Sequence, residues 1–246
     1  MHSPKGWMAG LMALAVGIFL LASPPQATAT FELSLQEDGG PVNVVAFGPS
    51  FTPIFATSST FGDYIVTFFS AAASDGAGGS NLLSAATRIQ SMSTATHTLN
   101  LIVSNTDYTL PAASTLTVQS GMGGTYGAEA GFTAAAAFQM WADAGNNLRA
   151  IPGTFTNGLQ TANPASGNGT TFDTGLDPAG SFARTGNYSI TDRTSIRTTG
   201  LGDVNYASHV LVSTNPVKVP EPGTTTLLIM GIGSGLLALF TGRRHS

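Results

Sequence analysis

The sequence predicts a mainly β fold, an antiparallel β-sandwich or jelly-roll-like outer domain over residues 30–218. Three observations predict it. Short runs of β-branched and aromatic residues stand between turn-forming clusters of Gly, Pro, Asn and Ser. The chain is 42% hydrophobic, enough to bury a core, although only 9% charged against roughly 25% in ordinary soluble domains. The domain also ends on two such runs around one turn, an antiparallel closure. No internal repeat of fixed period is present.

The elements follow in order. Phe31-Glu32-Leu33-Ser34-Leu35 alternates apolar and polar residues, the period of a half-buried strand. Gly39-Gly40-Pro41 turns the chain, and Val42 to Phe47 is a second run. Tyr64 to Phe69 is a third, and Ser74 to Ser80 reads as a Gly-rich loop. Thr96 to Val103 and Ser114 to Gln119 are strands by composition. Phe132 to Met140 places Phe132, Ala134, Ala136, Phe138 and Met140 on one face at strand spacing. Its four consecutive alanines also allow a helix, and the strand is the favoured reading. Residues 152–180 are rich in Gly, Pro, Asn and Thr without a period and are expected to form a long loop. Tyr188-Ser189-Ile190, Thr194 to Thr199, the turn Gly200-Leu201-Gly202-Asp203 and Tyr206 to Ser213 complete the domain.

Composition excludes several function classes. There is no cysteine, hence no disulfide framework, thiolate metal site or cysteine nucleophile. The net charge is −4. Residues 30–219 hold only six basic residues, Arg88, Arg149, Arg184, Arg193, Arg197 and Lys218, against twelve acidic ones. No basic run exists to follow a phosphate backbone, which argues against nucleic-acid binding.

Both ends of the chain read as targeting segments. Residues 1–29 combine Lys5, an apolar stretch from Trp7 to Leu21, the helix-stopping Ser23-Pro24-Pro25 and the small residues Ala27-Thr28-Ala29. This is the pattern of a secretory signal peptide read at Ala27 and Ala29 and cleaved after Ala29. Residues 219–246 have three parts. Val219-Pro220-Glu221-Pro222-Gly223 is held extended by its prolines. Residues 224–240 are uncharged and mostly apolar, and as a helix would span about 25 Å, enough for a thin bilayer core. Arg243 and Arg244 then act as a topology signal that stays cytoplasmic.

A Pro-Glu-Pro motif directly before a terminal hydrophobic span and an arginine pair resembles the PEP-CTERM sorting signal. The resemblance covers residues 219–246 and concerns sorting, not the activity of the outer domain. It implies processing by an exosortase, a membrane-embedded enzyme of Gram-negative-type bacteria that make extracellular polysaccharide. It implies an inner-membrane intermediate, then residence at the cell surface or in the extracellular matrix. Extracellular polysaccharide and the cell envelope are the implied partners. It also agrees with a β-rich outer domain ending on a strand just before the motif.

Candidate chemistry in residues 30–218 is sparse. Phe172-Asp173-Thr174-Gly175 copies the short motif around an aspartic-protease carboxylate, but a single chain needs a second copy to share the proton and none exists. Asp173 is therefore expected to accept local backbone hydrogen bonds in a loop. Asp173 and Asp177, with Asp192 and Asp203, are candidate calcium ligands, against the simpler reading of solvated turn aspartates. His97 and His209 lie in strand-like runs without zincin spacing. Gly121-Met122-Gly123-Gly124-Thr125-Tyr126-Gly127 lacks the third glycine position and the following helix of a dinucleotide loop. Asn168-Gly169-Thr170 and Asn187-Tyr188-Ser189 match acceptor sequons that carry no expectation in such a bacterium. Trp141, Tyr126, Tyr188 and Tyr206 are read as core, with stacking on sugar faces as the alternative. No catalytic set and no resident metal or cofactor are expected. The sequence thus predicts a non-enzymatic exported surface or biofilm-matrix protein. A secreted carbohydrate-binding or carbohydrate-active protein is the alternative.

Overall fold

The computed structural model describes residues 30–176 and 180–214. Among them are fourteen strands and no helix. They are β1 (Phe31–Glu37), β2 (Asn43–Gly48), β3 (Ile54–Phe61), β4 (Tyr64–Ser74), β5 (Ser80–Ser91), β6 (Thr96–Tyr108), β7 (Thr115–Tyr126), β8 (Thr133–Asp143), β9 (Phe155–Thr156), β10 (Gln160–Gly167), β11 (Thr171–Asp173), β12 (Gly180–Ala183), β13 (Tyr188–Thr199) and β14 (Gly202–Ser213). All pairings are antiparallel. The strands follow one path, β2-β1-β6-β13-β8-β10-β11-β7-β14-β5-β4-β3, which is barrel-like and nearly closed. The predicted mainly β, antiparallel class is what forms.

Two long strands organise the path. β13 lies between β6 and β8, with Asp192 opposite Val103 on one side and Met140 on the other. β14 lies between β5 and β7, with Ser208 opposite Ser84 and Met122. They are joined by the hairpin at Gly200-Leu201, where Gly200 has φ +87° and an added Cβ would press on Gly131 and Phe132. Asp38 and Gly39 both take positive φ at the turn between β1 and β2, the combination a tight hairpin requires. The two halves face each other across the core. Tyr64 of β4 bonds Thr198 of β13 at 3.0 Å, and Ser208 of β14 bonds Asp192 of β13 at 3.1 Å.

Strand alternation explains the core. Phe31, Leu33 and Leu35 of β1 point inward with Leu99, Leu101 and Val103 of β6, and Phe138 and Met140 of β8. Opposite them lie Val66, Leu82, Ile89, Val118, Val204, Val210 and Val212. The segment Phe132 to Met140 is a strand, as the alternation predicts.

The predicted long loop over 152–180 is corrected by the structure. It contains β9, β10 and β11 and reaches β12. β10 pairs with β8 through Ser166 and Gly167 after an irregularity that follows Thr161, and β11 pairs with β7. These pieces are two to eight residues long, too short and too polar to show a period, and neighbouring long strands supply their partners. The glycines of β7 serve this packing. A Cβ on Gly124 would strike the carbonyl of Asn205 and the Phe172 ring, and one on Gly121 would strike the carbonyl of Gly175. This gives the Gly-rich run a structural reason unrelated to dinucleotides.

Candidate functional site

The outward faces of β1, β6, β13 and β8 form a largely polar layer whose rows follow the strand register, buried in the row of Glu32 and opening to solvent towards Arg197. Glu32, Ser104, Thr191 and Trp141 make one row, and Ser34, Ile102, Arg193 and Gln139 the next. Gln36, Asn100, Ser195 and Ala137 follow, then Thr98, Arg197 and Ala135. From Asp192 to Thr199 buried and more exposed residues alternate along β13, so Arg193 and Arg197 share the outer face while Asp192 and Thr194 enter the core.

Hydrogen bonds fix this surface. Ser195 Oγ donates to Asn100 Oδ1 at 2.6 Å, and Asn100 Nδ2 donates to Gln36 Oε1 at 3.3 Å. Ser104 Oγ and Thr191 Oγ1 lie 2.8 Å apart. Arg193 Nη2 donates to Gln139 Oε1 at 3.3 Å, and its guanidinium sits 5.1 Å from the centre of the Trp141 ring, a cation–π contact. Burial pushes the Arg193 pKa down. Its Nε is buried and has no hydrogen-bond partner among the described residues.

The segment after β8 walls one end. Asp143 accepts from Asn147 N, Asn147 Nδ2 and Thr154 Oγ1 at 3.0, 2.8 and 2.8 Å. Burial opposes ionisation of Asp143, but these bonds outweigh it and lower its pKa. The segment carries Arg149, whose Nε meets Glu32 Oε1 at 3.1 Å while Ser34 Oγ donates to the same oxygen. The result is a hollow of about 480 Å³ lined by Gln36, Val42, Ile102, Arg149, Ile151 and Arg193. A second hollow of about 240 Å³ lies further along, between Thr133, Ala135, Ser166, Arg197 and Thr199.

A second polar corner forms where β1 turns. His97 Nδ1 lies 2.7 Å from Asp38 Oδ2, and His97 Nε2 lies 3.2 Å from Asp63 Oδ2. Glu37, Asp38 and His97 offer ligand atoms within 4.8 Å of one another and could hold a metal ion. The hydrogen bond to Asp38 raises the His97 pKa, partly opposed by burial and aided by the charges of Asp63, Asp38 and Glu37. The same carboxylates favour the protonated imidazole, so a metal ion here would compete with a proton for His97. Sequence reading placed His97 in a strand but had no signal for Asp38 and Asp63, which reach it through two separate turns. His209 lies elsewhere, with Nε2 3.0 Å from Asn81 Oδ1.

Other candidates separate. Asp173 Oδ1 accepts from Gly175 N at 2.6 Å, the local turn bond expected of a loop aspartate. Asp177 lies outside the described residues. Asp203 pairs with Arg88 at 3.1 Å. Asp192 overturns the solvated-turn reading for that residue. It is 0% exposed, and burial raises its pKa to about 7 against hydrogen bonds from Ser208, Ser84 and the Val103 backbone. A carboxyl sealed between two halves of the core is no surface calcium ligand.

The aromatics settle on the core reading. Tyr126, Tyr188 and Tyr206 are buried in the main cluster. Trp141, 5% exposed, is buried outside that cluster, against Gly153 and beneath Arg193. The alternative, that these four rings stack on sugars from the surface, is not what the structure shows.

The sorting residues Val219, Pro220, Glu221, Pro222 and Gly223, the arginines Arg243 and Arg244, the proposed span 224–240, and Ala27 and Ala29 lie outside the described residues. Among the described residues no helix is long and apolar enough to cross a membrane. Comparison with curated proteins finds no match. Comparison with protein families matches residues 218–244 to the PEP-CTERM protein-sorting motif, and finds no family for the domain before it. β14 ends at Ser213, so residues 214–217 alone separate the last strand from that match. The chain therefore carries a PEP-CTERM protein-sorting motif immediately behind an all-β domain.

Proposed function

We propose that this chain is an exported surface or extracellular-matrix protein, sorted by an exosortase and without enzymatic activity of its own. The observation that carries the reading is the PEP-CTERM match over residues 218–244. Such a motif implies passage through a membrane-held intermediate, with the β domain outside and the arginine end inside. The domain then remains at the cell surface or among extracellular polysaccharide of a Gram-negative-type bacterium. No cofactor is assigned.

Two features of the domain support a binding role over a catalytic one. Glu32 is buried beside the larger hollow's Arg149, and its carboxylate is tied to Arg149 and Ser34. A glycoside hydrolase would need two carboxyl groups about 5–10 Å apart across the scissile bond. Asp192, the acid with no exposed surface, faces the core and Ser208 instead of a groove. A carbohydrate-binding activity is the second reading, favoured by the polar outer face of β1, β6, β13 and β8.

Deleting Pro220 to Pro222 in the native host tests the sorting claim. The expected product is an unprocessed chain held in the inner membrane, seen by fractionation and blotting. A deletion variant that matures and reaches the same place as the parent would overturn it.

A further inference from the structure

We propose that the outer face of β1, β6, β13 and β8 binds a carboxylate-bearing polysaccharide laid along β13, with its acid groups on Arg193, Arg149 and Arg197. The inference rests on the matrix reading above and names the ligand class of that protein's exposed face.

Charge is the first argument. Residues 30–219 are acidic overall, with six basic residues against twelve acidic ones. Three of those six stand on this one face. A local cluster of cations in an acidic domain directs anionic ligands to that face. Two of the three lack a carboxylate partner. Arg193 reaches only Gln139 and the Trp141 ring, and its half-buried guanidinium has an Nε without an acceptor. Removing part of a cation's hydration without a counter-charge is unfavourable, and an arriving carboxylate relieves it. Arg197 is exposed and forms no ion pair among the described residues.

Geometry is the second. Arg193 and Arg197 are four residues apart on one strand, about 13 Å along it. The two hollows they line, about 480 and 240 Å³, follow one another in the same direction. The first lies within the usual range for ligand sites, roughly 300–1,000 Å³. Between them Gln36, Asn100 and Ser195 offer amide and hydroxyl groups, and Ala135 and Ala137 keep the floor low. This suits an extended chain with hydroxyls throughout and acid groups at intervals. Trp141 stacks under Arg193 and holds the fork in place; a rigid guanidinium binds a carboxylate through two parallel hydrogen bonds. The same burial of Trp141 removes the aromatic platform that single-stranded nucleic acid needs.

The test uses the full chain in detergent and measures binding by titration calorimetry at low salt. The probes are polygalacturonate, neutral dextran and single-stranded DNA. Tight binding of polygalacturonate alone is expected. The double variant Arg193→Gln with Arg197→Gln should weaken it at least tenfold, and Arg193→Lys alone several-fold, because lysine keeps the charge and loses the fork. Arg88→Gln, whose parent arginine pairs with Asp203 elsewhere, should bind as the parent does. Circular dichroism and the unfolding midpoint confirm that each variant folds, and the single variants carry the test if the double one does not. Equal binding of dextran or DNA, or full binding by folded Arg193 and Arg197 variants, overturns the site. If binding fails while tail processing and matrix retention persist, the site is wrong and the sorting reading stands. If processing fails while binding persists, the reverse holds.

Discussion

Replacing Asp192 with Asn is expected to abolish a loss of stability that the parent protein undergoes between about pH 4 and 7. Asp192 is fully buried, and its pKa rises from 3.8 to about 7. In the unfolded chain it ionises near pH 4, whereas in the folded chain it keeps its proton to about pH 7. Its stabilisation is therefore complete below the unfolded value, falls as pH rises through the window, and is gone above the folded value. About three pKa units correspond to a loss on the order of 4 kcal/mol. No cation contributes to the shift; Tyr206 and Tyr108, the titratable groups that feel Asp192, are pushed up and stay neutral. The amide of Asn keeps the shape and can donate to the Ser208 or Ser84 hydroxyls. Urea unfolding of both proteins from pH 4 to 8 is the assay. The curves should converge near pH 4 and separate by a few kcal/mol near pH 8, with the Asn variant the more stable. Taking the difference cancels His97, which titrates in both. Asp75, Asp107 and Asp143, all with lowered pKa values, lose their stabilisation only below about pH 4, outside the window. Parallel curves, or a parent more stable at pH 8, would refute the reasoning.

Further outcomes follow from single contacts. Tyr126→Phe removes the hydroxyl that accepts from buried Ala136 N at 3.1 Å, and should cost about 1–3 kcal/mol in urea unfolding; an unchanged midpoint would mean the amide is satisfied otherwise. Gly124→Ala puts a methyl group against the Asn205 carbonyl and 2.6 Å from the Phe172 ring. A destabilisation of about 1–3 kcal/mol is expected, and wild-type stability would contradict the packing. The imidazole of His97 should titrate above 6.5 by NMR and move down in Asp38→Asn, because the Asp38 bond is the chief cause of its shift. An unmoved titration in the variant would disprove that cause.

Much of this molecule is legible in its sequence where a physical period or an ordered set of signals exists. The tail is legible because three features, the Pro-Glu-Pro motif, the apolar stretch and the arginine pair, occur in a fixed order, and the family match covers the same residues. β1 and β8 are legible because each alternates apolar and polar or small residues. The strands within 152–180 are not, because they are short, polar and stabilised by β7 and β8. Asp192 was hidden by its polar neighbours Thr191 and Arg193. The spacing Ile190, Asp192, Thr194, Ile196 held the signal, since it puts the acid on the same face as two core isoleucines. The arginine face was beyond reach, because Arg149 joins Arg193 only through the fold of the segment after β8 and the register of β1, β6 and β13.

The intact mass of the mature protein, recovered from the cell surface or culture medium of the native host, tests the central claim most directly. The account predicts a chain that begins at Thr30 and has lost Arg243 and Arg244 with the apolar stretch before them. A mature protein whose mass includes residues 224–246 would contradict it.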